Sequence, residues 1–289
     1  MGLAGTKASW QRQTRYFGHD NGDKYSVLII DNRGIGESDK PIGRYTTKGM
    51  AQDIIEVVDH VGWTDERQLN IVGISLGGMI AQEIGCLIPM RLQSLSLLCT
   101  TSSFESNKSP LESFKSSLGM VIPKSEEETI RDTASKIFIE EWLHAPDAEN
   151  LPSPKTTPKC GPAPGPTGEY AKFENNFQRF AAQELTKRHT PGHFTVGGFL
   201  CQLAAAAGHR KSAAQLHDMA EKVGRKRILV LHGTRDNMIH VVNGQKLIKL
   251  IDPGVGLIVE DLGHAPVMER TQWFNSLLEE RLNNWTRET

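Results

Sequence analysis

The stretch Gly73-Ile74-Ser75-Leu76-Gly77-Gly78 decides the fold class. An apolar run at residues 69–72 precedes it and predicts a strand, and an apolar-rich helical pattern follows at residues 79–87. In that context G-x-S-x-G forms a tight turn that raises the serine hydroxyl above a sheet. Glycines two residues before and after the serine avoid β-carbon clashes, and the helix start offers free N–H groups to a negative charge. A Gly-rich turn without function is the alternative.

A serine nucleophile needs a base, and the base needs a carboxylate that orients it. Asp236 follows a strand-like run at residues 228–231, and His264 follows a shorter one at residues 256–259. Both positions lie where strands end, which is the edge at which open α/β sheets place their sites. Each residue alone is a weak signal, and three unrelated surface residues are the alternative. Together with Ser75 they favour a Ser-His-Asp triad.

Short apolar runs alternate with helical patterns along the chain, which predicts an α/β fold with a mostly parallel sheet covered by helices on both faces. The predicted strands lie at residues 26–30, 69–72, 94–99, 228–231 and 256–259. The clearest predicted helices lie at residues 47–60, 79–87, 126–143, 198–223, 241–250 and 271–285.

The long segment between the third and fourth strands contains no further convincing strand. We therefore divide the chain into an N-terminal part of the core at residues 1–102, a helical lid at 103–224 and a C-terminal part of the core at 225–289. Six prolines fall within residues 151–168. Because such a stretch cannot sustain a helix or a central strand, we predict a loop there.

Composition excludes several classes of protein. The formal net charge is −1, so no overall field favours nucleic acid or an anionic membrane. No run of about 18 apolar residues predicts a membrane span, and the first 25 residues contain no apolar signal-peptide core. The cysteines at 86, 99, 160 and 201 form no CxxC pair, which argues against a zinc site and a disulfide scaffold. We expect a cytoplasmic protein without a nucleic-acid partner, and oligomeric state stays open.

A second motif adds a family resemblance. Residues 31–41 have the sequence D-N-R-G-I-G-E-S-D-K-P, which is similar to the D-x-R-G-x-G-x-S loop of the α/β-hydrolase superfamily. With the turn around Ser75, the chain resembles that superfamily over about residues 1–99 and 225–285. It is most similar to the branch of small esterases, enol-lactonases and cofactor-free haloperoxidases. A Ser in place of an Asp at the turn argues against the epoxide hydrolase and dehalogenase branches.

The resemblance implies a role for each site residue. Ser75 is the expected nucleophile, His264 the general base and then acid, and Asp236 the residue that orients His264. The backbone N–H groups of Leu76 and Leu3 are the expected oxyanion hole, although Met1 stands where the family usually has a histidine. No cofactor and no metal is expected.

The resemblance also implies a departure from the family, because its first three strands precede the oxyanion loop and the third is normally central. The sequence therefore predicts an N-terminally truncated α/β-hydrolase fold, with unpaired backbone groups and an untethered oxyanion loop. A truncated gene model or fragment, a short isoform with impaired activity, and closing-up of the remaining strands are the competing explanations.

Other candidate residues receive structural interpretations. Asp31, Asn32 and Arg33 are expected to be structural, and His60 and His232 are assigned to a helix surface and a strand end. The lid histidines lack carboxylate partners at metal spacing; they are His189, His193, His209 and His217.

The leading hypothesis is a serine hydrolase that cleaves a small-molecule carboxylic ester, lactone or thioester through an acyl-enzyme. The alternative from another class is a non-catalytic hydrolase-like protein that binds a ligand or partner. A third possibility keeps the triad and changes the reaction to perhydrolysis or C–C bond cleavage.

Overall fold

A computed structural model describes residues 1–103, 124–163 and 165–287. Four parallel strands form one sheet in the order β1-β2-β3-β4, with β1 at Leu69–Ile74, β2 at Leu92–Leu98, β3 at Ile228–Gly233 and β4 at Val255–Val259. The α/β fold class predicted from the alternating pattern is confirmed. Within the described ranges, no helix is long and apolar enough to cross a membrane.

Helices cover both faces of the sheet. Successive side chains of a strand point to opposite faces, so a strand that is apolar at every position needs a packing partner on each face. Ile228 and Val230 pack into one apolar cluster, and Leu229 and Leu231 pack into the other. The first cluster includes residues of α2 (Thr47–Val61), α3 (Leu76–Leu87), α8 (Ala213–Val223) and α9 (Val241–Ile251). The second includes residues of α1, a helical stretch over residues 7–20, and of α11 (Thr271–Arg287).

The segment between β2 and β3 contributes further helices in its described part: α4 (Glu126–Ile137), α5 (Glu140–His144), α6 (Asn176–His189) and α7 (Val196–Gly208). The short α10 (Pro266–Glu269) follows β4. Ile130, Phe138 and Phe180 belong to a separate small cluster among α4, α5 and α6. The two long helices predicted in this segment are each divided in two, and α6 was not predicted. Residues 151–163 and 165–168 form turns without helix or strand.

The strand predicted at residues 26–30 is wrong. These residues carry no regular structure and form no ladder with any described strand. A cavity of about 480 Å³ separates them from β1 and is lined by Val27 and Ile29 on one side and Ile71 and Val72 on the other. An extended segment without a neighbour at hydrogen-bonding distance cannot form a ladder, and the remaining strands therefore do not close up.

The third predicted strand is shifted toward the N-terminus. It begins at Leu92 and ends at Leu98, so that Cys99 lies outside it with a φ of 45°. The positive φ turns the chain out of the sheet at this point. Cys99 therefore lies directly after β2, close to Asp236 and His264.

Candidate active site

The turn between β1 and α3 holds Ser75 in a strained conformation. Ser75 has φ 58° and ψ −122°, a region that side-chain-bearing residues rarely adopt. A β-carbon on Gly73 would lie 2.3 Å from the carbonyl oxygen of Gly77, so the strand and the helix approach closely only because Gly73 has no side chain. The Ser75 N–H donates to the Leu98 carbonyl at 2.9 Å, which ties the turn to β2.

Residues after β2 support the same turn. Thr100 Oγ1 donates to the Ser75 carbonyl at 2.7 Å. A β-carbon on Gly78 would lie 2.6 Å from Thr100 Cβ, so this glycine permits the contact. Ser75 itself is 9% exposed, so its side chain is nearly enclosed without being sealed from solvent.

Asp236 and His264 form a buried pair at the neighbouring strand ends. His264 Nδ1 lies 2.7 Å from Asp236 Oδ2. The other carboxylate oxygen accepts from the N–H groups of Met238 at 2.9 Å and Ile239 at 2.8 Å. Both oxygens of Asp236 therefore have donors, and the carboxylate plane is fixed with one oxygen directed at the imidazole.

The electrostatics of the pair keep Asp236 ionised. Burial by itself raises the pKa of Asp236, but the charge of His264 and hydrogen bonds from His232 and His264 outweigh it and hold the pKa well below its ordinary value. An ionised Asp236 at this distance places the proton of His264 on Nδ1 and leaves a lone pair on Nε2. The imidazole is thereby prepared to accept a proton.

Cys99 completes a small titratable group around Asp236. Ligand atoms of Cys99, Asp236 and His264 lie within 4.8 Å of one another, the one group of three potential metal ligands found in the described ranges. Cys99 is fully buried, and burial together with the charge of Asp236 raises the pKa of its thiol well above its ordinary value. The thiol is therefore neutral, and Asp236 is already engaged by His264.

The chain before His264 is held in place from two sides. The His264 N–H donates to the Ile137 carbonyl at the end of α4 at 2.7 Å, and the Gly263 N–H donates to Glu269 Oε2 at 3.1 Å. A β-carbon on Gly263 would lie 2.7 Å from the Ile137 oxygen. Gly263 thus allows α4 to approach the backbone that carries the imidazole.

Glu269 gives a pH-dependent contribution to stability. Burial raises its pKa to about 7, with smaller opposing effects from the N–H groups of Gly263 and Ala265. Between the ordinary value of 4.5 and 7, the folded state binds more protons than the unfolded state, so this group lowers stability as pH rises.

We therefore compare the change in the free energy of unfolding that Glu269→Gln causes at two pH values. We expect this change to be more favourable at pH 8 than at pH 5 by on the order of 2 kcal/mol. A neutral amide keeps the acceptor for the Gly263 N–H and removes the buried charge. Urea unfolding of both proteins at the two pH values measures the difference. An equal difference at both pH values would contradict the prediction.

Strand register places Ser75 at the same edge of the sheet as the pair. Ile74 is level with Leu98 and Leu98 with Leu231, so Ser75 and Asp236 follow carboxyl ends at the same edge of the sheet, with the end of β2 between them. Among the described residues, Ser75 Oγ makes no hydrogen bond to His264. Such bonds are often long in unliganded enzymes and shorten in the substrate complex. The structure thus pairs Asp236 with His264 and places Ser75 at the same edge of the sheet, two strands away from β3.

The first residues of the chain pack against Ser75. A β-carbon on Gly2 would lie 3.0 Å from Ser75 Cβ and 3.4 Å from its Oγ. Neither the Leu3 nor the Leu76 N–H donates to a described residue. Leu76 is the first residue of α3, where N–H groups have no partner within the helix. Two free donors therefore belong to the segments that flank the hydroxyl.

The loop that carries Leu3 is held by hydrogen bonds from other segments, and the prediction of an untethered loop is wrong. The Ala4 N–H donates to Gln202 Oε1 at 2.9 Å, and Lys187 Nζ donates to the Ala4 carbonyl at 3.1 Å. Gln202 is 1% exposed and also donates from Nε2 to the Arg33 carbonyl at 2.8 Å. Side chains of α6 and α7 thus replace a strand as the support of this loop.

The loop at residues 31–41 holds the same segment from the other side. Asp31 Oδ1 accepts from the Lys7 N–H at 2.6 Å, and Asn32 Nδ2 donates to the Met1 carbonyl at 3.2 Å. Arg33 pairs with Asp53. None of these contacts reaches Ser75, which agrees with the structural interpretation of this motif.

Sequence reasoning missed Gln202, Lys187 and the contact of His232 with Asp236. No local signal could have found the first two, since each acts on a residue more than 180 positions away.

The lid histidine His209 is 2% exposed and bonds to Thr47 Oγ1 through Nδ1 at 2.9 Å. Burial, followed by the charge of Lys211, lowers the pKa of His209 to about 4, so it is a neutral structural residue.

A model of the alpha/beta hydrolase fold family matches residues 1–271, and the chain belongs to that family. It is 34% identical over 99 residues to 3-oxoadipate enol-lactonase 2 of Acinetobacter baylyi, a match that covers 34% of each chain. It is 28% identical over 97 residues to the putative carbamate hydrolase RutD of Azorhizobium caulinodans, covering 34% of each chain. The matches thus span about a third of the curated relatives.

The shape of the chain is also similar to a thermophilic esterase from Thermogutta terrifontis. The TM-score is 0.69 at 20% sequence identity, and the match covers 98% of this chain and 88% of the esterase. At this level of identity the similarity shows the fold. The fold similarity thus agrees with the family assignment.

Proposed function

We propose that this protein is a serine hydrolase that cleaves a small-molecule carboxylic ester, lactone or thioester through an acyl-enzyme. The observation that carries the proposal is the 2.7 Å contact between His264 Nδ1 and Asp236, beside a serine held at positive φ. Both carboxylate oxygens of Asp236 accept hydrogen bonds. A buried imidazole with an oriented proton and a free lone pair is suited to general-base catalysis.

The proposed reaction begins when Ser75 Oγ attacks the carbonyl carbon and His264 Nε2 accepts the hydroxyl proton. The negative charge on the carbonyl oxygen is stabilised by the N–H groups of Leu76 and Leu3. His264 then donates the proton to the leaving alkoxide or thiolate, and the acyl group stays on Ser75. A water that loses a proton to His264 attacks the acyl carbon, and the acid leaves as Ser75 regains its proton.

The names of the relatives support this class of substrate. One matched protein is named as an enol-lactonase, another as a putative carbamate hydrolase, and the structural neighbour as an esterase. Lactones, carbamates and esters all contain an acyl carbon bonded to a heteroatom leaving group. We assign residues 103–224 the role of a lid, of which residues 104–123 and 164 lie outside the described ranges. The contacts of Ile137 with His264 and of Gln202 with the oxyanion loop support this role.

Labelling with a fluorophosphonate probe tests the proposal. The probe reacts with activated serines, and mass spectrometry of the digested protein identifies the modified residue. We expect stoichiometric modification of Ser75 in the native protein and none after heat denaturation. Modification of another serine, or no modification of the native protein, would overturn the proposal. The second result would favour the non-catalytic binding protein.

A further prediction concerns the tether of the oxyanion loop. Gln202→Met keeps the length of the side chain and leaves the part-buried Ala4 N–H and Arg33 carbonyl without partners. We expect kcat to fall about tenfold and stability to fall by about 1 kcal/mol, because two partly buried polar groups lose their hydrogen bonds. Ester hydrolysis and urea unfolding measure the two effects. Gln178→Met, which removes exposed hydrogen bonds on α6, is the control and should leave kcat unchanged.

A further inference from the structure

His232, the penultimate residue of β3, is directed at the proposed catalytic carboxylate from inside the sheet. Its side chain is 1% exposed, and its Nε2 lies 3.1 Å from Asp236 Oδ2 and 2.7 Å from the Ile239 carbonyl oxygen. Asp236 Oδ2 is the same oxygen that contacts His264 Nδ1. Two histidines therefore approach one carboxylate oxygen.

The partners of His232 determine where its proton lies. Both neighbours of Nε2 are oxygen atoms that only accept, so Nε2 must carry the hydrogen. His232 Nδ1 is buried and has no hydrogen-bond partner. A β-carbon on Gly244 would lie 2.5 Å from Nδ1, so the backbone of α9 covers this nitrogen. The single Nε2–H is thus shared between the Ile239 carbonyl at 2.7 Å and Asp236 Oδ2 at 3.1 Å, and Nδ1 has no hydrogen-bond partner.

We propose that His232 is a positioning residue of the triad, which shares Asp236 Oδ2 with His264 and ties the carboxylate to the Ile239 carbonyl. The inference rests on the proposed function and deepens it. Its N–H withdraws electron density from the oxygen that faces His264. It also links both ends of the turn at residues 236–239, so the carboxylate cannot rotate away from the imidazole.

Loss of the His232 donor has two consequences. Asp236 becomes freer to move, so the imidazole spends less time in the orientation that accepts the serine proton. Asp236 also carries more charge on the oxygen facing His264 and therefore favours the imidazolium. The acidic limb of the pH–rate profile should then move to higher pH, an effect that a merely structural role would not produce.

Among the described residues, the other titratable groups around the pair are Cys99, directly after β2, and Glu269 on α10. Burial and the charge of Asp236 raise the pKa of Cys99 well above its ordinary value, which keeps this thiol neutral over the pH range of interest. The pKa of Glu269 is raised by burial to about 7, so Glu269 titrates within the pH range of the profiles. All profiles are therefore recorded in a Glu269→Gln background.

The first test compares His232→Leu with His232→Gln in that background. Leucine fills the space without a donor, whereas glutamine can present an N–H near the position of Nε2. For His232→Leu we expect kcat/KM of ester hydrolysis to fall about tenfold and the acidic limb to rise by about 0.5–1 pH unit. His232→Gln should remain within about threefold of the background with its limb in place. A loss of rate without a shift of the limb, or equal losses in both variants, would overturn the proposal.

The second test needs neither turnover nor a destabilised variant. Long-range ¹H–¹⁵N spectra of the wild-type protein at pH 8 report which nitrogen of each histidine carries the proton, and His232→Gln assigns the signals. We expect the His232 proton on Nε2. A proton on Nδ1 would overturn the inference even if Ser75 is labelled by the fluorophosphonate. Conversely, if Ser75 is not labelled but His232 has its proton on Nε2, the serine-hydrolase proposal is refuted. The assignment of His232 Nε2 as a hydrogen-bond donor is then still supported.

Discussion

Ser75→Ala should reduce ester hydrolysis by about 10⁴-fold or more, because the substitution removes the nucleophile of the proposed acyl transfer and nothing else. Among the described residues, Ser75 Oγ donates no hydrogen bond whose loss would disturb the fold. The backbone contacts that hold the turn come from the Ser75 N–H and carbonyl, which alanine keeps. The loss of rate should therefore occur without a loss of stability.

Initial rates with a short-chain p-nitrophenyl ester and thermal unfolding of the same samples separate these effects. Ser135→Ala is the matched control, since Ser135 is exposed on α4 and its hydroxyl bonds only to the Asp132 carbonyl. This variant should retain full activity. If Ser75→Ala kept more than about a tenth of the wild-type rate while Ser135→Ala was unchanged, an acyl-enzyme on Ser75 would be ruled out.

The elements that carry the site were predictable because their signals are local. A strand followed at once by G-x-S-x-G and a helix leaves one backbone solution for Ser75, and the observed positive φ is that solution. Parallel strands place all their carboxyl ends at one edge, so Asp236 and His264 could be assigned to a common region. Their 2.7 Å contact follows from the register of β3 and β4, which the hydrophobic pattern alone does not determine.

The errors have a different origin, because they concern pairing between distant segments. An apolar run such as residues 26–30 predicts burial but not a partner strand. The predicted helix at 198–223 is interrupted before Ser212, whose side chain caps α8 together with Gln215. That S-x-x-Q capping box was present in the sequence and could have located the break. The tether of Ala4 by Gln202 depends on how α7 packs, and no local pattern contains it.

Asp236→Asn should lower kcat by about 10³–10⁴-fold, although it changes a single atom. Met238 and Ile239 donate backbone N–H groups to Oδ1, and these cannot change protonation, whereas His264 can change its tautomer, so the asparagine oxygen occupies the Oδ1 position. The amide NH₂ group then replaces Oδ2 and faces His264 Nδ1 and His232 Nε2. Two donors cannot face each other, so the imidazole takes the tautomer with its proton on Nε2 and cannot accept the proton of Ser75.

Asp261→Asn is the matched control for this prediction. Asp261 is exposed, lies in the same loop as His264, and has a φ of 51°, which asparagine adopts readily. It should keep full activity. In Asp236→Asn, fluorophosphonate labelling of Ser75 should slow in parallel with kcat, because both reactions need His264 to remove the same proton. If kcat fell while labelling kept its wild-type rate, Asp236 would act after acylation, and the orienting role assigned to it would be wrong.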